Sequence, residues 1–188
     1  MDNYKINIHY AKALMMLAVD MNCVDTVSED MRLVQQVCTE NRLLNKVFSN
    51  PTIKEAQKAA VVEDLFKGQI SEVSLAFLRF VVRKRRAVSL RGIATAFVEM
   101  WREKNNVVLA EFVTAVDIDQ QLLEEAKQKI VEYTGKEVEF NTSVDNRRIG
   151  GFYLTFDNKL YDDRISTKLI KLRNEFSRNE YESKIARR

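Results

Sequence analysis

Apolar side chains recur every three or four residues through the first part of the chain. The clearest stripe lies near the N-terminus, with steps of four, four, three and four residues: Ile6, Tyr10, Leu14, Leu17 and Met21. This spacing places the five residues on one face of an α-helix. A second, thinner stripe of the same helix consists of Ala11, Met15 and Ala18. The first helix is therefore expected to have two apolar sides.

Five further amphipathic segments follow before residue 105, so the pattern predicts six helices. Pro51 is expected to end the third segment and Gly68 the fourth. Three positions have the chemistry of a helix start, the first two with capping-box spacing: Thr26 with Glu29, Thr52 with Glu55, and Ser71. Six short helices with short connections predict an antiparallel bundle over residues 1–105.

The pattern changes after Asn105 and Asn106. The run 107–116 is apolar at most positions, as in a strand covered on both faces. Residues 138–144 and 152–156 alternate between apolar and polar, which predicts half-buried strands, and a turn at 157–158 precedes another short apolar pair.

Two helices complete this second half. Asp119 is expected to cap the first of them, and the last carries an apolar stripe at steps of four, three and four: Ile165, Leu169, Leu172 and Phe176. The predicted fold is mainly α, with an N-terminal six-helix bundle (1–105) followed by a small α+β C-terminal domain (106–188).

Composition narrows the class of protein. Thirty Lys and Arg against 27 Asp and Glu give a net charge of +3, far below the excess typical of nucleic-acid-binding proteins. Five Gly and one Pro in 188 residues favour long helices over an all-β fold. No apolar run approaches the roughly 18 residues of a membrane span, and no signal-peptide pattern is present. An intracellular protein without direct membrane insertion is expected.

Few residues can support catalysis or metal binding. His9 is the only histidine, and Cys23 and Cys38 are fifteen residues apart without a second cysteine pair. The sequence Thr134-Gly135-Lys136 resembles the end of a phosphate loop, but the first glycine of that motif is missing.

Gly150-Gly151 lacks the third glycine and the following helix of a dinucleotide fingerprint, so a bulge or a close backbone approach is expected there. No catalytic, cofactor-binding or metal-binding residue is predicted, and the protein is not expected to be an enzyme.

The strongest charge feature is the basic run Arg83 to Arg86, with Arg79 and Arg91 nearby. Three interpretations remain open: a solvated helix C-terminus, a surface that docks onto an acidic protein, or a nucleic-acid patch. Without interleaved aromatic residues the last is the weakest. Spacing and composition together predict a two-domain, non-catalytic scaffold or adaptor.

Several short motifs, in order and over essentially the whole length, resemble one known family. They are His9 to Leu14, Phe48 to Pro51, Phe77-Leu78 with Val81-Val82, Arg86, Thr134 to Lys136, Val144-Asp145, Ile149 to Phe152, and Asp162 with Leu169. The chain thus resembles the delta subunit of F-type ATP synthases, the oligomycin-sensitivity-conferring protein family. Two positions depart from that pattern: His9 replaces an Arg, and Asp162-Asp163-Arg164 replaces Asp-Gly-Ser.

The resemblance implies a stator subunit that links the catalytic alpha/beta hexamer to the peripheral stalk, so that proton-driven rotation yields ATP synthesis. It implies a peripheral position at the cytoplasmic face of the bacterial plasma membrane. The expected partners are the N-terminal helix of an alpha subunit, held between the first and fifth helices, and the stalk b subunits, met by the second domain. No cofactor and no nucleic acid are expected.

The side chains expected to hold the alpha-subunit helix lie on two helices. They are Tyr10, Ala13, Leu14 and Leu17 on the first helix and Leu78, Val81 and Val82 on the fifth. The alternative is that all seven belong to the bundle core. The alternative function, from another class, is a basic helical regulatory protein that binds nucleic acid through residues 79–91.

Overall fold

The computed structural model describes residues 4–115, 120–145, 147, 149–157 and 159–177, with the side chains of 120–122 excluded. Contacts between Cα atoms divide the chain into two compact units, Met1–Asn105 and Asn106–Arg188. Within the described residues the first unit is helical, and the second combines two helices with a four-stranded sheet. The predicted fold class, a helical bundle followed by a small α+β domain, is confirmed.

Between residues 4 and 105, which the structure describes throughout, the first unit forms six α-helices. Their bounds are α1 Tyr4–Asp20, α2 Val24–Glu40, α3 Arg42–Ser49, α4 Glu55–Phe66, α5 Glu72–Arg83 and α6 Leu90–Lys104, with a single 3-10 turn at Ala87–Ser89. Pro51 and Gly68 lie just beyond α3 and α4, as predicted, and Gly68 has a φ of +82° that suits glycine.

The predicted helix starts are only partly correct. Ser71 caps α5, because its Oγ accepts a hydrogen bond from the Ser74 backbone N–H. Thr26 lies inside α2 and Thr52 lies before the start of α4, so both capping-box predictions are wrong. The sequence analysis missed Asn41, whose Oδ1 accepts hydrogen bonds from two backbone N–H groups at the start of α3.

The core of the first unit forms around α6, which packs against α1 and α2. Phe97, Ile93 and Leu90 on α6 are buried, together with Leu14 on α1 and Met31 on α2. Small residues let α1 approach α6 closely. A Cβ atom at Gly92 of α6 would collide with the side-chain amide of Asn7 on α1.

The second unit is built on a sheet in the order β2-β1-β3-β4. The strands are β1 Val107–Thr114, β2 Glu137–Val144, β3 Phe152–Phe156 and β4 Lys159–Asp162, and the helices are α7 Gln120–Thr134 and α8 Ile165–Ser177. β1 pairs parallel with β2 and antiparallel with β3, so α7 is the crossover of a βαβ unit. Phe112 of β1 lies opposite Leu154 of β3 and is buried under Ile130 of α7.

Candidate partner-binding groove

An apolar groove opens at the surface of the first unit between α1 and α5. It has a volume of about 740 Å³, with Ala13, Leu17 and Met21 on one wall and Ala76 and Phe80 on the other. Leu17, Met21 and Phe80 are 43%, 54% and 48% exposed. Large apolar side chains that stay accessible along one groove are typical of a surface that binds a partner.

The structure decides which stripe of α1 faces inward. Ala11 and Ala18 of the thinner stripe are fully buried, and so is Leu14 of the wider one, so the side of α1 that these three residues share packs into the bundle. Ala13 and Leu17 point into the groove, and Leu14 lies at its floor. The wider stripe therefore lies at the boundary between core and groove.

The α5 wall of the groove carries a second apolar stripe. Val73, Ala76, Phe77 and Phe80 follow the spacing i, i+3, i+4 and i+7, and all four line the groove. The ring of Phe80 lies 6.4 Å from that of Tyr10 on α1. The sequence analysis missed this stripe, although its spacing was present, because the more strongly apolar side of α5 was chosen instead.

The seven predicted contact residues therefore occupy different environments. Ala13 and Leu17 line the groove, Tyr10 is half-buried at its end, and Leu14 forms the floor. Leu78, Val81 and Val82 are at most 1% exposed in the bundle core. For these last three the structure favours the alternative weighed from the sequence, a role in the core.

Polar contacts fix the start of α5 and thereby one wall of the groove. Asp30 of α2 is buried, and its Oδ2 accepts hydrogen bonds from the Ser71 backbone N–H at 3.1 Å and from the Ser71 hydroxyl at 2.5 Å. Farther along α5, the Arg79 guanidinium lies 2.8 Å from a Glu63 carboxylate oxygen on α4. The N-terminus of α5 is thus held on α2 and its middle on α4.

The basic run forms the C-terminal end of α5, as one of its three interpretations predicted. Arg83 is the last helical residue, and Arg85 follows in the left-handed region with a φ of +61°. The Arg85 and Arg86 backbone N–H groups donate to Val82 and Val81 carbonyl oxygens, which closes the helix end. Basic side chains are favourable at this end of a helix dipole.

The second unit also exposes an apolar stripe. None of the α8 residues is buried, and Ile165, Leu169, Leu172 and Phe176 are all exposed. A separate apolar cavity of about 480 Å³ lies between α7 and the sheet, beside Phe152, Phe156 and Tyr161. The stripe predicted from the periodicity thus lies on an accessible helix face rather than in a core.

A polar turn sets the start of α8. The Asp162 carboxylate accepts hydrogen bonds from the backbone N–H and side chain of Arg164 and from the Thr167 hydroxyl. The side-chain hydrogen bond from Arg164 is the largest cause that holds the pKa of Asp162 below its usual range. Asp162-Asp163-Arg164 thus forms a stable turn without the serine of the related pattern.

Both glycine motifs have structural roles. Gly135 has a φ of +67° and ends α7, and β2 follows it, whereas a helix follows the glycines of a phosphate loop. Gly151 has a φ of +84°, and a Cβ atom there would lie 2.9 Å from the Arg164 Cα atom. The predicted close backbone approach at Gly150-Gly151 is confirmed.

In the part of the chain that the structure describes, little supports a metal site, a reactive thiol or a membrane-spanning helix. There, no group of three or more His, Cys, Asp and Glu side chains could hold a metal ion. Burial raises the pKa of the Cys38 thiol to about 11, which keeps it protonated near neutral pH. Among the same described residues no helix is long and apolar enough to cross a bilayer. The predicted cap Asp119 lies outside the described residues.

These features define a mainly α protein with a six-helix bundle and a small α+β unit, each of which exposes an apolar helix surface. The model of the ATP synthase delta (OSCP) subunit family matches residues 6–176. The chain therefore belongs to this family, and it is a structural subunit of ATP synthase rather than a catalytic one. The resemblance seen in the short motifs is thereby confirmed.

Individual relatives agree over most of their length. The ATP synthase subunit delta of Chloroherpeton thalassium is 32% identical over 165 residues, which are 88% of this chain and 90% of that protein. Its counterpart from Chlorobium luteolum is 32% identical over 171 residues, 91% of this chain and 94% of that protein.

A solved structure supports the same fold. A chain of the Toxoplasma gondii mitochondrial ATP synthase hexamer superposes with a TM-score of 0.69 at 18% identity. The match covers 91% of this chain and 97% of that one.

Proposed function

We propose that this subunit is the connector of the ATP synthase stator, which joins the alpha/beta hexamer to the peripheral stalk at the cytoplasmic face of the bacterial plasma membrane. The observation that carries the proposal is the presence of one accessible apolar helix surface on each unit, the α1–α5 groove and the α8 stripe. Two docking surfaces on two separate units are what a tether needs. Its task is mechanical, because a hexamer held by the stalk cannot turn with the rotor.

In the first unit, the groove suits an amphipathic helix, and the N-terminal helix of an alpha subunit is the proposed occupant. Apolar side chains spaced at i, i+3, i+4 and i+7 on the partner would enter between α1 and α5. Ala13 and Ala76 leave room for that helix, while Leu17, Phe77 and Phe80 supply apolar contact area. The buried Leu78, Val81 and Val82 support the groove from inside.

In the second unit, the α8 stripe is the proposed contact for the C-terminal part of the stalk b subunits. Leu169 and Leu172 are about half exposed and Phe176 is 84% exposed. On burial, apolar area contributes about 25 cal/mol per Å². A helical partner that covers this stripe would therefore gain stability from residues that the unit itself leaves uncovered.

The groove can be tested with a peptide of about twenty residues that copies the start of the alpha subunit, since helices of that length are marginal alone and order on binding. Leu17→Asp puts a charge into the groove and should weaken binding more than tenfold. Met16→Asp makes the same charge change on an exposed α1 residue outside the groove and should bind like wild type. Isothermal calorimetry on the full chain measures both.

The b-subunit contact is tested in the same way with a fragment of the b C-terminus. Leu169→Asp should weaken its binding, whereas Asn174→Asp, on the opposite side of α8, should not. Both residues are exposed, so neither variant should unfold the unit. Equal binding of wild type, Leu17→Asp and Leu169→Asp to their respective partners would overturn the proposed surfaces.

A further inference from the structure

A second cavity of the first unit differs in chemistry from the α1–α5 groove and shares no residue with it. It has a volume of about 660 Å³ and lies between the start of α1, the end of α3 and the first turns of α6. Three arginines, Arg85, Arg86 and Arg91, line it together with the hydroxyl residues Ser49, Ser89 and Thr95. This cavity, called here the arginine pocket, does not enter the function proposed above.

One buried side-chain atom of a residue that lines the arginine pocket has no hydrogen-bond partner among the described residues. Asn7 is only 8% exposed, and its Oδ1 makes no hydrogen bond among the described residues. An unpaired buried acceptor destabilises a fold, so buried acceptors are nearly always satisfied. Gly92 provides the space that Asn7 occupies. The fold thus makes room for an asparagine whose side-chain oxygen is left unpaired.

The side chains of the three arginines also have no ion-pair partner among the described residues. Among the described residues, no carboxylate lies within 4 Å of their guanidinium nitrogens, although Glu99 lines the same cavity. With one glutamate against three arginines the pocket is strongly positive. A guanidinium presents a planar fork of donors that matches a carboxylate with two parallel hydrogen bonds.

The ligand must therefore bring anionic groups for the arginines, and a hydrogen-bond donor on it would also satisfy Asn7 Oδ1 once that side chain turns toward the cavity. A peptide with acidic side chains has both, because its carboxylates pair with arginines and its backbone N–H can donate to Asn7 Oδ1. The rim adds apolar area at Tyr4 and Val88, which are 64% and 62% exposed. Nucleic-acid phosphates would pair with the arginines but have no hydrogen to donate, so Asn7 Oδ1 would need a donor from a base or a sugar.

We infer that the arginine pocket is a second docking site of the first unit and binds an acidic peptide segment of a protein partner. The carboxylates pair with Arg85 and Arg91, and Asn7 Oδ1 fixes the peptide backbone. This contact is separate from the groove, so it is retained when the groove is blocked.

A labelled, end-blocked peptide of alternating Glu and Ala residues tests the inference on the full chain by fluorescence anisotropy, with the Gln–Ala peptide as the neutral control. The Glu–Ala peptide should bind, and Arg85→Asn should weaken its binding at least tenfold because it removes one guanidinium. Asn is the chosen replacement because it tolerates the positive φ at this position. Arg83→Gln removes the same charge outside the pocket and should change the affinity less than twofold.

Asn7→Leu separates a docking role from a structural one. Leu has nearly the shape of Asn and no polar atom, so the variant should melt at the same temperature or higher, yet bind the peptide about tenfold more weakly. A lower melting temperature with unchanged peptide affinity would show that Asn7 serves the fold.

Two further outcomes would overturn the inference. One is equal weakening of binding by Arg83→Gln and Arg85→Asn, which indicates a diffuse charge effect. The other is preferential binding of a mixed-sequence DNA oligonucleotide at the same variants, with affinity falling log-linearly with salt, which indicates a phosphate-binding surface.

Discussion

The contact between Asp30 and Ser71 should hold the start of α5, and with it one wall of the groove. Asp30 is buried and accepts two hydrogen bonds from Ser71, while the Ser71 Oγ accepts one from the Ser74 N–H. Asp30→Ala removes the carboxylate oxygen that accepts both bonds and leaves the Ser71 backbone N–H without its partner. Ser71→Ala removes the cap and one of the two bonds to Asp30.

The magnitudes follow from the number of bonds lost. Hydrogen bonds to a charged group contribute about 1.5–3 kcal/mol each, partly offset by the desolvation of the carboxylate, so Asp30→Ala should lower the free energy of unfolding by about 3 kcal/mol. Ser71→Ala loses a cap worth about 1 kcal/mol and one charge-assisted bond worth about 1.5 kcal/mol, about 2.5 kcal/mol in total. The two changes share one bond, so the coupling energy in a double-mutant cycle should be about 1.5 kcal/mol.

Trp101 allows this free energy to be measured for the first unit alone. It is the single tryptophan of the chain, and its indole N–H donates to Asp25 Oδ1 of α2 at 3.0 Å. Urea unfolding followed by its fluorescence therefore reports the loosening of α6 from α2. A coupling energy below about 0.5 kcal/mol, the usual error of additivity, would refute the role given to this contact.

Three other predictions concern separate parts of the chain. The fragment 1–105 should fold alone and melt cooperatively by circular dichroism, because its helices close around their own core; a disordered spectrum would contradict the proposed domain boundary. At about pH 8 a thiol reagent should modify half-buried Cys23 in the native protein and reach Cys38 only after unfolding, since burial raises the pKa of Cys38 to about 11. Consumption of two equivalents of the reagent per chain in the absence of urea would refute this. The pKa of Asp162 is lowered in the folded state, so its contribution to stability is complete above the ordinary value of about 3.9 and declines as pH falls below it. In an NMR titration toward low pH, the Asp162 carboxyl should stay ionised when most other carboxyl groups are already protonated. Thr167→Val should raise the pKa of Asp162.

The helices could be predicted from sequence because each carries a regular apolar stripe. The same periodicity does not tell which of two stripes faces inward. On α1 the sequence left open which stripe faces the partner. The structure buries Ala11 and Ala18 of the thinner stripe, together with Leu14 of the wider one, where α1 packs against α6. The expected partner came from the family motifs. The residues that line the groove could be identified only once the packing of the helices was known.

Caps and strand environments were harder to predict for a related reason. Thr26 and Thr52 have the spacing of a capping box, but neither lies at the start of its helix. Contacts between helices also position these segments. One example is the Lys58 ammonium of α4, which donates a hydrogen bond to the Phe48 carbonyl oxygen of α3. The alternation in 138–144 correctly predicted a strand. β2 lies at the sheet edge, however, so Val144 stays exposed, and sequence alone does not give the order of strands.

The central claim is that one chain holds two partners at once, and a bridging experiment tests it most directly. The alpha-subunit N-terminal peptide is immobilised, and a soluble fragment of the b C-terminus is passed over it with and without the full chain in a surface-binding assay. The b fragment should be retained only when the full chain is present, and Leu17→Asp or Leu169→Asp should each abolish its retention while the Met16→Asp and Asn174→Asp controls do not. If the full chain binds the immobilised peptide yet never retains the b fragment, or if either partner displaces the other, the chain is not the connector proposed here.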